Sequence, residues 1–276
     1  MPERITAQQV VDRIQKNLGA PWKTPSVDVF MAGDPNTRVT GIATTFAPTL
    51  DTLRRATAAG KNMIITRESA FYRSANPVRD LATDTTYLFK RDFISKNNLV
   101  IWRFCDNWEA REVDGQLRGL AMALGWDKYH KPDRKAGKEP YHPGDAFFVL
   151  PGTSLGAMAR SVQARLKIRG LRVIGDPRTR VSKAALTHGL MLVPSLQEIL
   201  KEPDVDLVVT GEPVEWEASP YFEDVIASGR KMGMIILGQE ASEEPGSGEV
   251  ANWLRSFLPE VPIEWISSDE PFWVLT

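Results

Sequence analysis

Short apolar runs alternate with longer amphipathic stretches along most of the chain. The runs at 63–66 (MIIT) and 207–210 (LVVT) each follow a stretch with helical periodicity and are rich in aliphatic, largely β-branched residues. Strands of a parallel sheet have this uniformly apolar character because helices cover both of their faces. The alternation therefore predicts an α/β fold, in which helices pack on both sides of buried sheets.

An internal repeat relates the two halves of the sequence. Residues 33–45 read GDPNTRVTGIATT and residues 175–187 read GDPRTRVSKAALT, with eight of thirteen positions identical. Each segment is followed by a helical stretch that opens with a proline, and then by an apolar run that ends in Thr-x-Glu. The repeat predicts two similar α/β lobes that arose by internal duplication, with a cleft between them.

A polar stretch separates the two halves. Residues 128–145 read KYHKPDRKAGKEPYHPGD, a composition too rich in proline and lysine to bury a core of its own. We therefore expect a first α/β lobe at 1–128, an exposed linker at 129–145 and a second α/β lobe at 146–276. The last segments of the second lobe are free to pack back on the first.

The amino-acid composition of the chain limits the classes of partner that we expect it to bind. The 34 basic and 35 acidic residues leave a net charge of -1, so no overall positive field favours nucleic acid. No apolar run approaches the ~20 residues that cross a bilayer, and Cys105, the single cysteine, cannot form an internal disulfide. We expect a cytoplasmic protein without membrane or nucleic-acid partners; the sequence leaves open an export leader removed ahead of Met1.

Acidic residues follow four of the predicted strands. In open α/β sheets such positions meet at the carboxyl edge, where ligands bind. Two carboxylates ~4 Å apart repel each other by about 4 kcal/mol at an effective dielectric of 20, so converging carboxylates need a metal ion or an arginine. The residues in question are Arg67 and Glu68, Asp106 and Glu109, Glu212 and Glu215, and Gln239, Glu240, Glu243 and Glu244.

A possible nucleophile motif supports a minor alternative, a serine hydrolase at Ser154. Residues 152–156 read GTSLG, between an apolar run and a helical pattern, and Asp176 and His188 follow in the usual order of a catalytic triad. Ser154 as a simple helix N-cap explains the same residues and is the favoured interpretation. His188 is then expected to be a partly exposed loop histidine.

Several segments together make the sequence similar to the Nif-three-like family (NGG-interacting-factor-three-like, also labelled GTP cyclohydrolase type-two homologue). The resemblance covers nearly the whole chain. It implies a Nif-three-like fold and a homohexameric ring around dinuclear metal centres. The segments are ITAQQVVDRI, the first GDP segment, IITRESAFY, VIWRFCDNW, VVTGEPVEWE, IILGQEASEEPG and PEVPIEWISSDEPF.

The resemblance also implies a ligand set for the metal site. It places metal ligands at Glu68, Asp106 and Glu243. The family's two histidine ligands fall on Arg67 and Gln239, so both imidazoles have been replaced. Residues expected around the site are Cys105, Glu212 and Glu240.

Two functions follow from this altered ligand set. The first is a ring-forming scaffold or small-ligand-binding protein with a degenerate metal site, in which the guanidinium of Arg67 pairs with carboxylates in place of a cation. The second is a metal-dependent hydrolase with a carboxylate-rich site, which favours magnesium, manganese or calcium over zinc or iron. Both imply a homo-oligomer, and the sequence identifies neither a small-molecule partner nor a substrate.

Overall fold

The computed structural model of the chain describes residues 5–73, 78–130 and 147–275. These residues form two compact units. Unit 1 contains the described residues of Met1–Gly115 and Gly246–Asp269, and unit 2 those of Gln116–Pro245 and Glu270–Thr276. Of the linker expected at 129–145, residues 131–145 lie outside the described part of the chain.

The described strands are short, and most have helices between them in sequence. In chain order they are β1 (Phe30–Ala32), β2 (Ile42–Thr45), β3 (Met63–Thr66), β4 (Val100–Arg103), β5 (Phe147–Ser154), β6 (Arg172–Ile174), β7 (Arg180–Leu186), β8 (Leu190–Met191), β9 (Leu207–Thr210), β10 (Glu212–Pro213), β11 (Gly233–Ile236) and β12 (Ile263–Trp265).

The described α-helices range from one turn to almost five turns in length. They are α1 (Ala7–Asn17), α2 (Leu50–Ala58), α3 (Thr85–Lys96), α4 (Asp106–Glu109), α5 (Gly115–Leu124), α6 (Leu155–Leu166), α7 (Val193–Leu200), α8 (Glu215–Ala227) and α9 (Gln239–Arg255). No helix in the described part of the chain is both long and apolar enough to cross a membrane.

Unit 1 is built on a five-stranded sheet with the order β1-β4-β3-β2-β12. All neighbouring strands are parallel except β1, which runs antiparallel to β4. Alternate residues of β2 and β3 enter different cores: Ile42 and Met63 pack with α1 and the last part of α9, whereas Ala43 and Ile64 pack with α2 and α3. The sheet is thus buried on both faces, as the apolar runs predicted.

Unit 2 contains a second five-stranded sheet, with the order β5-β7-β9-β11-β6. Its central strands β7, β9 and β11 are parallel, and the two edge strands β5 and β6 are antiparallel to their neighbours. Again the faces alternate, because Leu207 and Val209 enter one core and Val208 enters the other. A small parallel pair, β8 with β10, completes the unit.

The two repeated segments occupy equivalent places in the two sheets. Each begins just after an edge strand, β1 or β6, and leads into the first parallel strand, β2 or β7. The orders β1-β4-β3-β2 and β6-β11-β9-β7 also match in strand direction throughout. The predicted α/β architecture is therefore confirmed, while the duplication as its origin stays an inference from this match.

The glycine and aspartate of the repeat build the same turn in both units. Gly33 and Gly175 have positive φ angles of 84° and 123°. In each turn an aspartate, Asp34 or Asp176, accepts a hydrogen bond from the backbone N–H two residues later, at 2.8 Å in both cases. The repeated motif thus fixes a turn between two strands, and none of these contacts involves a candidate metal ligand.

Lys90 of α3 is a buried cation at the edge of the unit 1 core. Its side chain is 2% exposed, its ammonium group donates a hydrogen bond of 2.6 Å to the carbonyl of Ala70, and it lies 4.9 Å from the ring centre of Tyr72. Burial lowers the pKa of Lys90 from 10.5 to about 8, because the desolvated ammonium form is disfavoured.

This shift predicts how stability depends on pH. Between about pH 8 and 10.5 the folded protein binds fewer protons at Lys90 than the unfolded chain, so raising the pH through this window stabilises the fold. Relative to a Lys90→Met variant, the native protein should gain up to about 3 kcal/mol, at ~1.4 kcal/mol per pH unit. Urea unfolding of both proteins at pH 7 to 10.5 checks this, and a constant difference between them would contradict it.

Candidate functional site

The ends of β3 and β4 place the first group of candidate residues in unit 1. Arg67 and Glu68 directly follow β3, and Cys105 follows β4 after a single residue. The backbone N–H of Arg67 donates to the carbonyl of Thr45, at 3.1 Å, and that of Glu68 donates to the carbonyl of Phe46, at 2.8 Å. These bonds continue the pairing with β2, so the backbone that carries both charged side chains is fixed.

Arg67 is the centre of this group. Its Nη2 atom lies 2.6 Å from Oε1 of Glu109, and its Nη1 atom lies 3.9 Å from Oε1 of Glu68. The same Nη1 atom contacts Sγ of Cys105. The Arg67 side chain is 12% exposed and that of Glu109 is 19% exposed, so this ion pair is largely shielded from water.

A second arginine, Arg103, faces the carboxylate of Glu68. Its Nη2 atom lies 3.6 Å from Oε2 of Glu68, and its Nε donates to the carbonyl of Arg67 at 3.1 Å. The Arg103 side chain is 6% exposed. Arg67, Arg103, Glu68 and Glu109, here named the arginine–glutamate cluster, therefore bring two positive and two negative charges together in unit 1.

Asp28 holds the segment after β4 in position. Its carboxylate accepts hydrogen bonds from the backbone N–H groups of Cys105, Asp106 and Asn107, at 2.6, 3.0 and 2.9 Å, and from the Asn107 amide at 2.6 Å. Burial raises the pKa of Asp28 and outweighs these hydrogen bonds, which act in the opposite direction. By capping α4 from a distant part of the chain, Asp28 sets where Glu109 lies one turn later.

Asp106 and Cys105 make other contacts, next to the arginine–glutamate cluster. The Asp106 carboxylate accepts the backbone N–H of Val27 at 3.0 Å and lies 3.6 Å from the Cys105 sulfur. Burial raises the pKa of the Cys105 thiol, and the opposing effect of the nearby Arg67 is smaller. Cys105 is thus a neutral thiol near pH 7 and not a thiolate nucleophile.

Unit 2 contains a histidine–glutamate pair. Nδ1 of His188, in the loop after β7, lies 3.0 Å from Oε1 of Glu243 in the first part of α9. The Glu243 side chain is completely buried and that of His188 is 13% exposed. Both side chains belong to a group of histidine and glutamate residues that could hold a metal ion.

Glycines allow the loops of unit 2 to approach α9 closely enough for this contact. A Cβ atom at Gly189 would lie 2.7 Å from Oε1 of Glu243, and one at Gly211 would lie 2.5 Å from Oγ of Ser242. The backbone N–H of Gly189 donates to the same Ser242 hydroxyl at 3.0 Å. The loops after β7 and β9 therefore rest directly on the start of α9, which positions His188 beside Glu243.

The other candidate residues of unit 2 lie around α9 and the small β8–β10 pair. Gln239 and Glu240 begin α9 and are half-buried, and Glu212 is an exposed residue of β10. Ser154 is the N-cap of α6, and its hydroxyl accepts the backbone N–H of Ala157 at 3.3 Å. The prediction that Ser154 is a helix cap is confirmed.

The guanidinium groups of the arginine–glutamate cluster oppose the binding of a divalent metal ion there. A dication ~4 Å from a guanidinium group is repelled by about 8 kcal/mol at an effective dielectric of 20. In the arginine–glutamate cluster two guanidinium groups already lie within 4 Å of the carboxylates that would bind the metal. In unit 2, His188 and Glu243 offer a metal ion an imidazole and a carboxylate.

Three residues of these groups were not among the ligands taken from the resemblance. Arg103 ends the apolar run of β4, and a charged residue at the end of such a run could have been recognised as a candidate site residue. Glu109 follows Asp106 by three positions, so the sequence offered both without indicating which one faces Arg67. His188 was expected to be a partly exposed loop histidine, and the sequence did not indicate its partner Glu243, which lies 55 residues further along the chain.

Fold and site together define a two-unit α/β protein whose first unit carries paired arginines and glutamates at the ends of its parallel strands. A sequence profile of the DUF34/NIF3 family (NGG1p interacting factor 3) matches residues 7–271. The chain belongs to this family, and the resemblance inferred from its motifs is confirmed.

Comparison with individual relatives agrees. The chain is 25% identical over 248 residues to a Clostridium perfringens (strain 13 / Type A) protein named GTP cyclohydrolase 1 type 2 homolog, a match that covers 87% of each. Its fold is similar to that of a Bacillus cereus protein related to NIF3, with a TM-score of 0.75, 15% identity and coverage of 99% and 100%.

A Staphylococcus aureus hypothetical protein has a similar structure as well. The TM-score is 0.71, the identity is 14%, and the match covers 99% of this chain and 100% of the other. At such low identities the two structural likenesses support the fold alone.

Proposed function

We propose that this chain is a DUF34/NIF3 protein that acts as a ring-forming scaffold or small-ligand-binding protein, with arginines in place of a working metal centre. The observation that carries the proposal is the ion pair between Arg67 and Glu109, at 2.6 Å. Arg67 occupies a position at which the family resemblance implies a histidine ligand. A metal-binding side chain has thus been exchanged for one that supplies the positive charge itself.

The chemistry of the cluster supports a binding role rather than catalysis. Metal-assisted hydrolysis needs a cation that activates a bound water and a carboxylate that accepts its proton. In the arginine–glutamate cluster the two glutamates already face two guanidinium groups. The nearby Cys105 is a buried neutral thiol and cannot substitute as the nucleophile.

Assembly into a homohexamer is part of the same proposal. It comes from the family resemblance, and the unknown small-molecule ligand would be bound by the assembled form. Light scattering on the full chain measures the mass directly: six copies of a 30.8 kDa chain are expected. A monomeric mass would contradict the ring.

Elemental analysis tests the loss of the metal centre. Protein purified without chelator and without added metal should contain no stoichiometric transition metal, and soaking in manganese or magnesium followed by desalting should leave none. Stoichiometric zinc, iron or nickel in the untreated protein would contradict the proposal. A calcium-binding or zinc-binding protein purified in parallel is the control for metal loss during preparation.

A second candidate function, the metal-dependent hydrolase, is favoured by one observation. His188 and Glu243 lie 3.0 Å apart and offer an imidazole and a carboxylate. An imidazole ligand moves the metal preference toward zinc and other transition metals, compared with a purely carboxylate site. Calorimetric titration with zinc discriminates: binding by the native chain that is lost in His188→Ala supports the hydrolase, and no binding by either supports the scaffold.

A further inference from the structure

Unit 2 exposes large apolar side chains on β6, at the start of α8 and in the last described segment, which contacts the residues just before β6. Single exposed apolar residues are common on protein surfaces, but a group of this size marks an interaction site. We name the group the β6 edge patch. Its members and their exposed fractions are Val173 (40%), Trp216 (78%), Phe272 (72%), Trp273 (72%), Val274 (51%) and Leu275 (84%).

The segment that carries four of these side chains is anchored to the body of unit 2. The backbone N–H of Arg169 donates to the Glu270 carboxylate at 2.8 Å, and the Arg169 guanidinium donates to the carbonyl of Phe272 at 2.9 Å. Val274 lies against Gly170, where a Cβ atom would come within 2.6 Å of it. The apolar side chains are thus presented outward from a segment whose backbone is held in place.

An ion pair joins β6 to the start of α8, directly before Trp216. Nη1 of Arg172, the first residue of β6, lies 3.1 Å from Oε1 of Glu215, the first residue of α8. Among the described strands, β11 is the only one hydrogen-bonded to β6. No strand in the described part of the chain pairs with the other edge of β6, and an edge of this kind favours the addition of a further strand.

We propose that a second copy of this chain covers the β6 edge patch, through a two-fold contact in which the β6 strands of two copies pair antiparallel. This inference rests on the assembly part of the proposed function and adds the surface that the assembly uses. Arg172 and Glu215 form an ion pair at this surface, so a two-fold related copy presents the same two opposite charges to the contact.

The size of the patch agrees with a stable interface. An aromatic side chain buries ~150–250 Å² when fully covered, so the exposed parts of Trp216, Phe272 and Trp273 supply roughly 350–550 Å² per copy. A standard interface buries about 800 Å² per partner, of which roughly 60% is apolar. The aromatic side chains alone therefore approach the apolar area that such an interface contains.

Two charge substitutions on the full chain test the proposal. Trp273→Glu and Trp216→Glu place a carboxylate in the centre of the contact, and each should weaken the association at least ~30-fold, as for a hot-spot tryptophan. Light scattering over a concentration series measures this, with urea unfolding as a check that each variant folds. Phe89→Glu is the matched control, since Phe89 is a 55% exposed aromatic residue of α3 in unit 1, and its mass should equal that of the native chain.

The outcomes separate this inference from the proposed function. Smaller masses for folded Trp273→Glu and Trp216→Glu support the contact. An assembled native chain whose mass is unchanged by both variants overturns the contact but leaves the ring in place. A native chain that is monomeric at all concentrations overturns both, while the metal content from elemental analysis stands apart from either result.

Discussion

Replacing Arg67 by methionine should lower the free energy of unfolding by about 2–3 kcal/mol in metal-free buffer, because it leaves Glu109 without its nearest positive charge. Removing one partner of a fully buried ion pair costs ~3–5 kcal/mol, and the 12% and 19% exposure of Arg67 and Glu109 reduces that figure. Methionine keeps the length and the apolar stem of the side chain, so the effect reports on charge more than on packing. Urea unfolding measures the change.

The same variant should respond to divalent cations, whereas the native chain should not. In the absence of the Arg67 guanidinium, the carboxylate of Glu109 can bind a cation in its place, and millimolar magnesium or manganese should recover part of the lost stability. Arg13→Met is the control, since Arg13 pairs with Glu260 at the surface, where such pairs contribute roughly 0–1 kcal/mol. Equal losses for Arg67→Met and Arg13→Met would show that the cluster is not a shielded ion-pair site.

The Gly33→Ala substitution should cost about 3 kcal/mol or more, since it combines a strained backbone with a clash that cannot be relieved easily. Gly33 has a φ of 84°, and a Cβ atom there would lie 2.3 Å from the carbonyl oxygen of Leu99. The obstacle is the backbone just before β4, so relief requires a shift of the strand that leads to Cys105. Thermal and urea unfolding of the variant measure the effect.

Two other glycines supply the comparison for Gly33. Gly60 has a φ of 70° with nothing within 4 Å of the added Cβ, so Gly60→Ala should cost only the ~1 kcal/mol of the backbone conformation. Gly175, the equivalent of Gly33 in the second repeat, meets the carbonyl oxygen of Met232 at 2.9 Å and should give an intermediate loss. If Gly33→Ala were no worse than Gly60→Ala, the repeated turn would not have the structural role assigned to it.

The fold could be predicted where local pattern decides it. The run at 63–66 is β3 and the run at 207–210 is β9, and Thr49 caps α2 directly after the proline that signalled a helix. The pairing of β12 with β2 was not predictable in this way, because it joins residues more than 200 positions apart. That pairing places 246–269 in unit 1, and no local periodicity signals it.

The sequence predicted which kinds of side chain form the site, but not all of the contacts between them. The argument that clustered carboxylates need a positive partner led to Arg67, and the structure brings Arg67 together with Glu68 and Cys105. That argument did not identify Arg103. It also did not identify Glu109 as the carboxylate nearest to Arg67, because the direction of the Glu109 side chain depends on how Asp28 caps α4. The carboxylate–arginine contacts are thus a tertiary property that composition and spacing do not fix.

Anomalous X-ray scattering from crystals soaked in zinc and in manganese tests the central claim most directly, namely that Arg67 rather than a metal ion neutralises the carboxylates of unit 1. The expected result is no anomalous peak at Glu68 or Glu109, with the guanidinium of Arg67 in hydrogen-bonding contact with Glu109. A metal ion coordinated by either glutamate, with Arg67 turned away from the cluster, would contradict the account.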